Sequence, residues 1–155
     1  MNDITRNTAI HEAAHAVAAI RAGLVFDQVS ALPDETLELD GALYWTELQE
    51  SGELAMAPEL LAVVSLAGAC AEARLRGVRF DRMFQGVGAT EDRESVASLG
   101  LTDQQFITAC RETVEMVDRD WELIERIADE LEAGNPLSFD EVDAIVTAGD
   151  GAADS

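Results

Sequence analysis

The amino-acid sequence predicts a mainly helical α+β domain with a small antiparallel β-sheet and long C-terminal helices. Apolar residues recur at helical spacing near the N-terminus, again after Pro58, and over a longer stretch after Thr102. Between the first two of these regions, residues 25–48 lose the helical period and contain turn signals. Most of the chain is therefore expected to be helical, with one short sheet after the first helix.

Length, composition and charge favour one soluble domain. A chain of 155 residues is long enough to bury one core, which we assign to residues 1–148, with a disordered tail over residues 149–155. The net charge is −21, from 31 acidic and 10 basic residues, and such a field argues against nucleic acid and anionic membranes as partners. The sequence contains no evident signal peptide or membrane-spanning run, so the expected location is the cytoplasm.

The first helix is expected to run from about Asp3 or Thr5 to Ala22, with Gly23 after its end. Five apolar residues at helical spacing predict the stripe that contacts the core: Ile10, Ala13, Ala14, Val17 and Ile20.

This helix carries the sequence His-Glu-Ala-Ala-His over residues 11–15, an example of H-E-x-x-H. Side chains four residues apart lie on one face of a helix, so His11 and His15, the two histidines of the chain, can bind one metal ion. The spacing is typical of zinc-assisted hydrolysis, in which Glu12 is the general base and a third ligand comes from elsewhere. The alternative is a surface helix that carries two histidines by chance.

Two short strands are predicted after the first helix, from Val25 to Leu32 and over residues 43–45. Turn signals at Pro33-Asp34 and Asp40-Gly41 separate them. The edge of such a sheet can bind an extended peptide by strand addition. The alternative is that the sheet only covers the core.

A second helix is expected from Pro58 to about Arg76, with Gly77 after it. It is apolar on most sides, which is typical of a central, buried helix. Glu72 is a carboxylate near its end, and three interpretations remain open. It pairs with Arg76 one turn on, it orients a zinc-binding histidine from outside, or it is itself the third ligand.

A short helix capped by Thr90 is predicted to run to about Leu99, with Glu91 and Asp92 in its first turn. Val96 and Leu99 mark its inner face, and Asp92 lies on that face. Glu91 is rotated toward a more polar side. Helical spacing therefore favours Asp92 over Glu91 as the third metal ligand, with Glu91 as the alternative.

The C-terminal part is predicted to be one long helix from Thr102, where a capping box with Gln105 forms, to about Ala133. Its apolar residues alternate three and four apart, as in a heptad seam: Ile107, Cys110, Val114, Val117, Trp121, Ile124, Ala128 and Leu131. Such a seam packs within the domain or forms the contact of a homo-oligomer.

A last short helix is expected from Ser138, which forms a capping box with Glu141, to about Val146. Cys70 and Cys110 are interpreted as small buried hydrophobic residues rather than zinc ligands, because neither belongs to a CxxC-like pair.

Three stretches resemble, in order, the peptidase domain of the FtsH-type AAA+ zinc proteases (peptidase M41-like). Residues 11–15 resemble the family's His-Glu-Ala-Gly-His, residues 66–72 its Gly-Gly-x-Ala-Ala-Glu helix, and residues 88–92 its Gly-Ala-x-x-Asp segment. The resemblance implies that Asp92 is the third zinc ligand. It does not extend to the family's ATPase and membrane-spanning parts.

We therefore expect a Zn²⁺-dependent metallopeptidase in which His11, His15 and Asp92 hold the metal ion and Glu12 is the base. Without an ATPase of its own, its substrate would be a short peptide, a flexible tail, or a chain unfolded by a separate unfoldase. Two alternatives remain. One is a catalytically silent regulatory or scaffold module, and the other is a site-specific HExxH protease that cleaves one regulatory protein.

Overall fold

The structure, a computed structural model, describes residues 5–32, 42–45, 58–80, 94 and 96–153. These residues form α1 (Arg6–Arg21), β1 (Phe26–Ser30), β2 (Ala42–Trp45), α2 (Pro58–Arg76), α3 (Asp103–Arg119), α4 (Trp121–Glu132), β3 (Leu137–Ser138) and α5 (Phe139–Ala153). The predicted mainly helical chain with a small antiparallel sheet is confirmed. Across the described ranges, no helix is both long and apolar enough to cross a membrane.

Helix α1 lies at the centre of the core. Every residue from Ala9 to Ala19 is buried, and six of these eleven are alanine. Because alanine side chains are short, α2, α4, α5 and the sheet all contact α1 directly. The sequence predicted one apolar stripe on this helix, whereas the structure buries its middle on all sides.

Both ends of α1 agree with the prediction. The Thr5 hydroxyl accepts a hydrogen bond from the Thr8 backbone N–H, which caps the first turn. Gly23 has a φ of +78°, a conformation that favours glycine, and the next N–H, of Leu24, donates to the Ala19 carbonyl. The chain therefore leaves α1 sharply and enters β1.

The sheet has the order β2-β1-β3 and is antiparallel throughout. Val29 of β1 lies opposite Leu43 of β2 on one side and Leu137 of β3 on the other. The two predicted strands are confirmed, and β2 lies at an edge. The third strand was not predicted, because its two residues are too short to show an alternating pattern.

Helix α2 has the predicted bounds and lies between α1 and α3. Toward α3 it forms a smaller core cluster, in which Leu66 and Ala69 pack with Val96 and Ala109. Residues 94 and 96–98 are helical, in agreement with the end of the helix predicted from Thr90.

The predicted single helix from Thr102 to Ala133 is wrong, because the chain breaks it at Asp120 into α3 and α4. Asp120 has φ −99° and ψ 15° and is 4% exposed. Arg21, in the last turn of α1, donates to both of its carboxylate oxygens, at 3.1 and 2.9 Å. A charge buried this deeply needs a partner, and the bend brings it to Arg21. The capping box of Thr102 and Gln105 is confirmed.

The predicted heptad seam is buried in α4, at Ile124, Ala128 and Leu131, and also at Val117 near the end of α3. In α3 the residues Ile107 and Val114 are exposed, at 51% and 40%. The buried face of α3 is rotated from the predicted seam, because it includes Ala109, Thr113 and Met116 and shares only Val117 with that seam.

The predicted end of the last helix near Val146 and the disordered tail from Gly149 are also corrected. Helix α5 continues to Ala153. Gly149 lies against Leu123, since a Cβ at this position would clash with that side chain. Asp150 accepts two hydrogen bonds from Arg21, both 2.8 Å long. These two contacts hold the last turns of α5 on the core. The capping box of Ser138 and Glu141 is confirmed.

Candidate metal centre

The two histidines of H-E-x-x-H meet at the contact between α1 and α2. Their Nε2 atoms are 3.0 Å apart, and their ring planes are inclined at 72°. His11 is 9% exposed and His15 is 8% exposed. Helix α1 therefore brings two imidazole nitrogens to one point near the surface of the core, as the four-residue spacing predicts.

Helix α2 holds both rings by the opposite nitrogen, Nδ1. The Nδ1 atom of His11 is 2.6 Å from Oε1 of Glu72, and the Nδ1 atom of His15 is 2.6 Å from the carbonyl oxygen of Val64. The two helices run antiparallel here, since the earlier histidine meets the later residue of α2. Positions 64 and 72 lie about two turns apart on α2, whereas the histidines are about one turn apart on α1.

These contacts determine which ring nitrogen carries the proton. A carbonyl oxygen only accepts, and an ionised carboxylate only accepts, so both Nδ1 atoms donate. Each neutral ring then presents a lone pair at Nε2. Two lone pairs only 3.0 Å apart repel each other, and a proton or a metal ion between them would remove this repulsion.

The donor set fits zinc. In a tetrahedral site with Zn–N distances of about 2.0–2.1 Å, two nitrogen ligands lie about 3.3 Å apart. The observed separation of 3.0 Å is close to this value. Zinc-binding histidines usually donate their other N–H to a carboxylate or a backbone carbonyl, which fixes the ring and increases its basicity. Both kinds of acceptor are present here, one at each ring.

Glu12 belongs to the same buried stretch of α1 and is 8% exposed. It lies three residues before His15, so the two side chains flank one side of the helix. A carboxylate in this position is suited to accept a proton from a water molecule next to the histidine pair.

Gly68 lies on α2 midway between Val64 and Glu72 and faces both imidazoles. A Cβ at this position would be 2.5 Å from the Nε2 atom of each histidine and 2.6 Å from Cδ2 of His11. No side chain therefore fits between α2 and the two nitrogens. The backbone of α2 approaches them directly.

The other predicted site residues have different outcomes. Glu72 contacts His11. Glu72 and Arg76 both lie in the described part of the chain and form no ion pair with each other there. Asp92 and Glu91 lie outside the described residues. Within the ranges that the structure covers, no three His, Cys, Asp or Glu side chains form a group that could hold a metal ion.

Cys70 is buried as the sequence predicted, whereas Cys110 is only partly buried. Cys70 is 5% exposed, and burial raises the pKa of its thiol to about 12. Burial also raises the pKa of Cys110. Both thiols are free, and neither cysteine belongs to a CxxC-like pair.

Two parts of the site were not predicted from the sequence. The contact of the Val64 carbonyl with His15 could not be predicted, because every residue has a backbone carbonyl. Gly68 does carry a signal, since a glycine in the middle of an apolar helix opposes helix propensity.

Comparison with models of known protein families found no match, and a search among curated proteins found none either.

Proposed function

We propose that this protein is a zinc-dependent metallopeptidase of the kind suggested by its resemblance to the FtsH-type peptidase domain. The observation that carries the proposal is the histidine pair. Its two Nε2 atoms converge at 3.0 Å, while Glu72 and Val64 hold both Nδ1 atoms from the neighbouring helix. Any buried histidine needs an acceptor for its ring N–H, so the contacts at Nδ1 alone do not indicate a metal. The close approach of the two Nε2 atoms supports the proposal, because two lone pairs at 3.0 Å call for a cation between them.

In this proposal, His11 and His15 hold zinc through Nε2, and Asp92 is the third protein ligand. Bound zinc acts as a Lewis acid toward the substrate carbonyl and makes water more acidic. Glu12 accepts a proton from the water as it attacks the carbonyl carbon and passes this proton to the leaving amine. Glu72 keeps the His11 ring oriented and, by accepting from Nδ1, increases the basicity of its Nε2.

The burial of the site supports an extended substrate. His11, Glu12 and His15 are each less than one-tenth exposed, so the carbonyl that reacts would have to belong to a chain thin enough to reach buried side chains. A short peptide or an unfolded segment can do this, whereas a folded surface cannot. Folded proteins would then be cleaved only after a separate unfoldase has opened them.

A panel of short peptides and unfolded proteins, incubated with added zinc or with a chelator, tests this function. We expect cleavage that requires zinc and that is absent from the Glu12→Gln variant. Zinc binding without cleavage of any substrate would instead favour the non-catalytic regulatory module. Cleavage of a single protein from a broad panel would favour the site-specific protease.

A further inference from the structure

Gly68 is an unusual residue for its position. It lies in the middle of the 19-residue helix α2, where it is buried on a face that packs against α1. A glycine inside a helix destabilises it relative to alanine, because the backbone loses more conformational freedom on folding. A residue that opposes the local preference in this way often serves a site rather than the fold.

The geometry shows what the missing side chain allows. The methyl carbon of an alanine would lie 2.5 Å from both Nε2 atoms, well inside van der Waals contact. The rings cannot simply turn away, because their Nδ1 atoms are held at 2.6 Å by Glu72 and by the Val64 carbonyl. An added methyl group must therefore break these hydrogen bonds or push α1 away from α2.

We propose that Gly68 is a positioning residue for the metal ion: the bare backbone of α2 is one wall of the site, and only a residue without a side chain lets both Nε2 atoms converge on one ion. This inference rests on the zinc site proposed above but not on hydrolysis. Three residues of α2 would then shape the site. Val64 and Glu72 hold the two imidazole rings, and Gly68 leaves space for the ion beside their Nε2 atoms.

Zinc affinity of Gly68→Ala tests the inference, measured by competition with a chromophoric chelator and by the visible spectrum of the Co²⁺ form. Gly151→Ala is the matched control, because Gly151 also lies in a helix but a Cβ there would meet no atom within 4 Å. We expect Gly68→Ala to lose at least about 100-fold in zinc affinity, the upper end of the loss caused by removing an outer partner of a ligand. We expect Gly151→Ala to bind like the wild type.

Wild-type zinc affinity in Gly68→Ala would overturn the inference. If the wild type itself bound no zinc, the proposed metal site would fail instead, so the two failures are distinguishable. Should Gly68→Ala not fold, the same change is made together with His11→Ala and His15→Ala, which removes both rings. Recovery of folding then supports a clash with the imidazoles, whereas continued failure, when the double histidine variant itself folds, shows that Gly68 serves helix packing alone.

Discussion

The Nδ1 atom of His11 lies 2.6 Å from Oε1 of Glu72, across the contact between α1 and α2. The two residues are 61 positions apart in the sequence, so only the packing of the two helices brings them together. The contact uses the nitrogen opposite to the one that faces His15. Glu72 is therefore placed to orient the ring, which is how a carboxylate tunes a metal-binding histidine from outside.

The first prediction concerns Glu72→Gln. Its amide oxygen can still accept from Nδ1, but the negative charge is lost and Nε2 of His11 becomes a weaker ligand. We expect zinc affinity to fall about 10–100-fold, the usual effect of losing an outer partner. Glu59→Gln is the control, since Glu59 lies on the same helix but bonds to Gln105. Equal zinc affinities of these two variants, measured by chelator competition, would contradict the role of Glu72.

The second prediction is that the purified protein binds one zinc ion per chain, because the chain has a single histidine pair. His11→Ala and His15→Ala should each abolish high-affinity binding, since one remaining imidazole cannot hold the ion. Elemental analysis after zinc supplementation and removal of excess metal measures the stoichiometry. Detection of no transition metal in the wild type would remove the basis of the proposed function.

The third prediction concerns Glu12→Gln, which should keep zinc and the fold while losing hydrolysis. General base catalysis typically contributes about 10²–10⁴-fold, so kcat should fall by at least 100-fold. Zinc content and the melting temperature should stay near the wild-type values. Glu122→Gln, an exposed change on α4, is the control. Unchanged turnover in Glu12→Gln would mean that another group is the base.

Local signals made much of the fold predictable. Thr5, Gly23 and Gly77 mark helix ends through capping and through positive φ, and these signals depend on a few neighbouring residues only. The same holds for the capping boxes that begin α3 and α5. The convergence of His11 and His15 was also predictable, because it depends on the pitch of one helix.

What could not be predicted depends on contacts between distant segments. The break at Asp120 results from its hydrogen bonds to Arg21, which lies 99 positions away. The extension of α5 depends on the same arginine, through Asp150. For Glu72 the sequence left three interpretations open, because the choice between Arg76 and His11 is made by the packing of α2 on α1.

The fourth prediction concerns the contribution of Arg21 to stability, through its hydrogen bonds to Asp120 and Asp150. Arg21→Ala removes the main partner of Asp120, a carboxylate that is 4% exposed. Leaving a buried charge without this partner should lower the free energy of unfolding by about 2–4 kcal/mol. Arg126→Ala removes an exposed arginine of α4 and should change it by less than about 0.5 kcal/mol. Urea denaturation of both variants provides the test, and equal effects would show that the pair does not stabilise the bend.

The last prediction is that Asp92 is the third zinc ligand, and the packing of Val96 supports it. Val96 is 8% exposed and packs against Leu66 and Ala69 of α2, so it marks the inner face of its helix as the sequence predicted. Four residues make about one helical turn, so a helix that starts at Thr90 has Asp92 on the Val96 face and Glu91 turned about 100° away. Val96 packs on the side of α2 that faces α3, whereas the partners of both histidines lie on the side that faces α1. The packing of Val96 therefore distinguishes Asp92 from Glu91, and the resemblance to the FtsH-type domain supplies the link to the metal.

Zinc affinities of Asp92→Asn, Glu91→Gln and Glu72→Gln separate the three carboxylates. A hydrolytic zinc site usually has three protein ligands, and the loss of one should cost more than the loss of an outer partner. We therefore expect Asp92→Asn to weaken binding most, Glu72→Gln to have an intermediate effect, and Glu91→Gln to behave like the wild type. A greatest loss in Glu91→Gln would mean that the helix presents its other face to the metal. A greatest loss in Glu72→Gln would mean that Glu72 leaves Nδ1 of His11 and binds zinc directly.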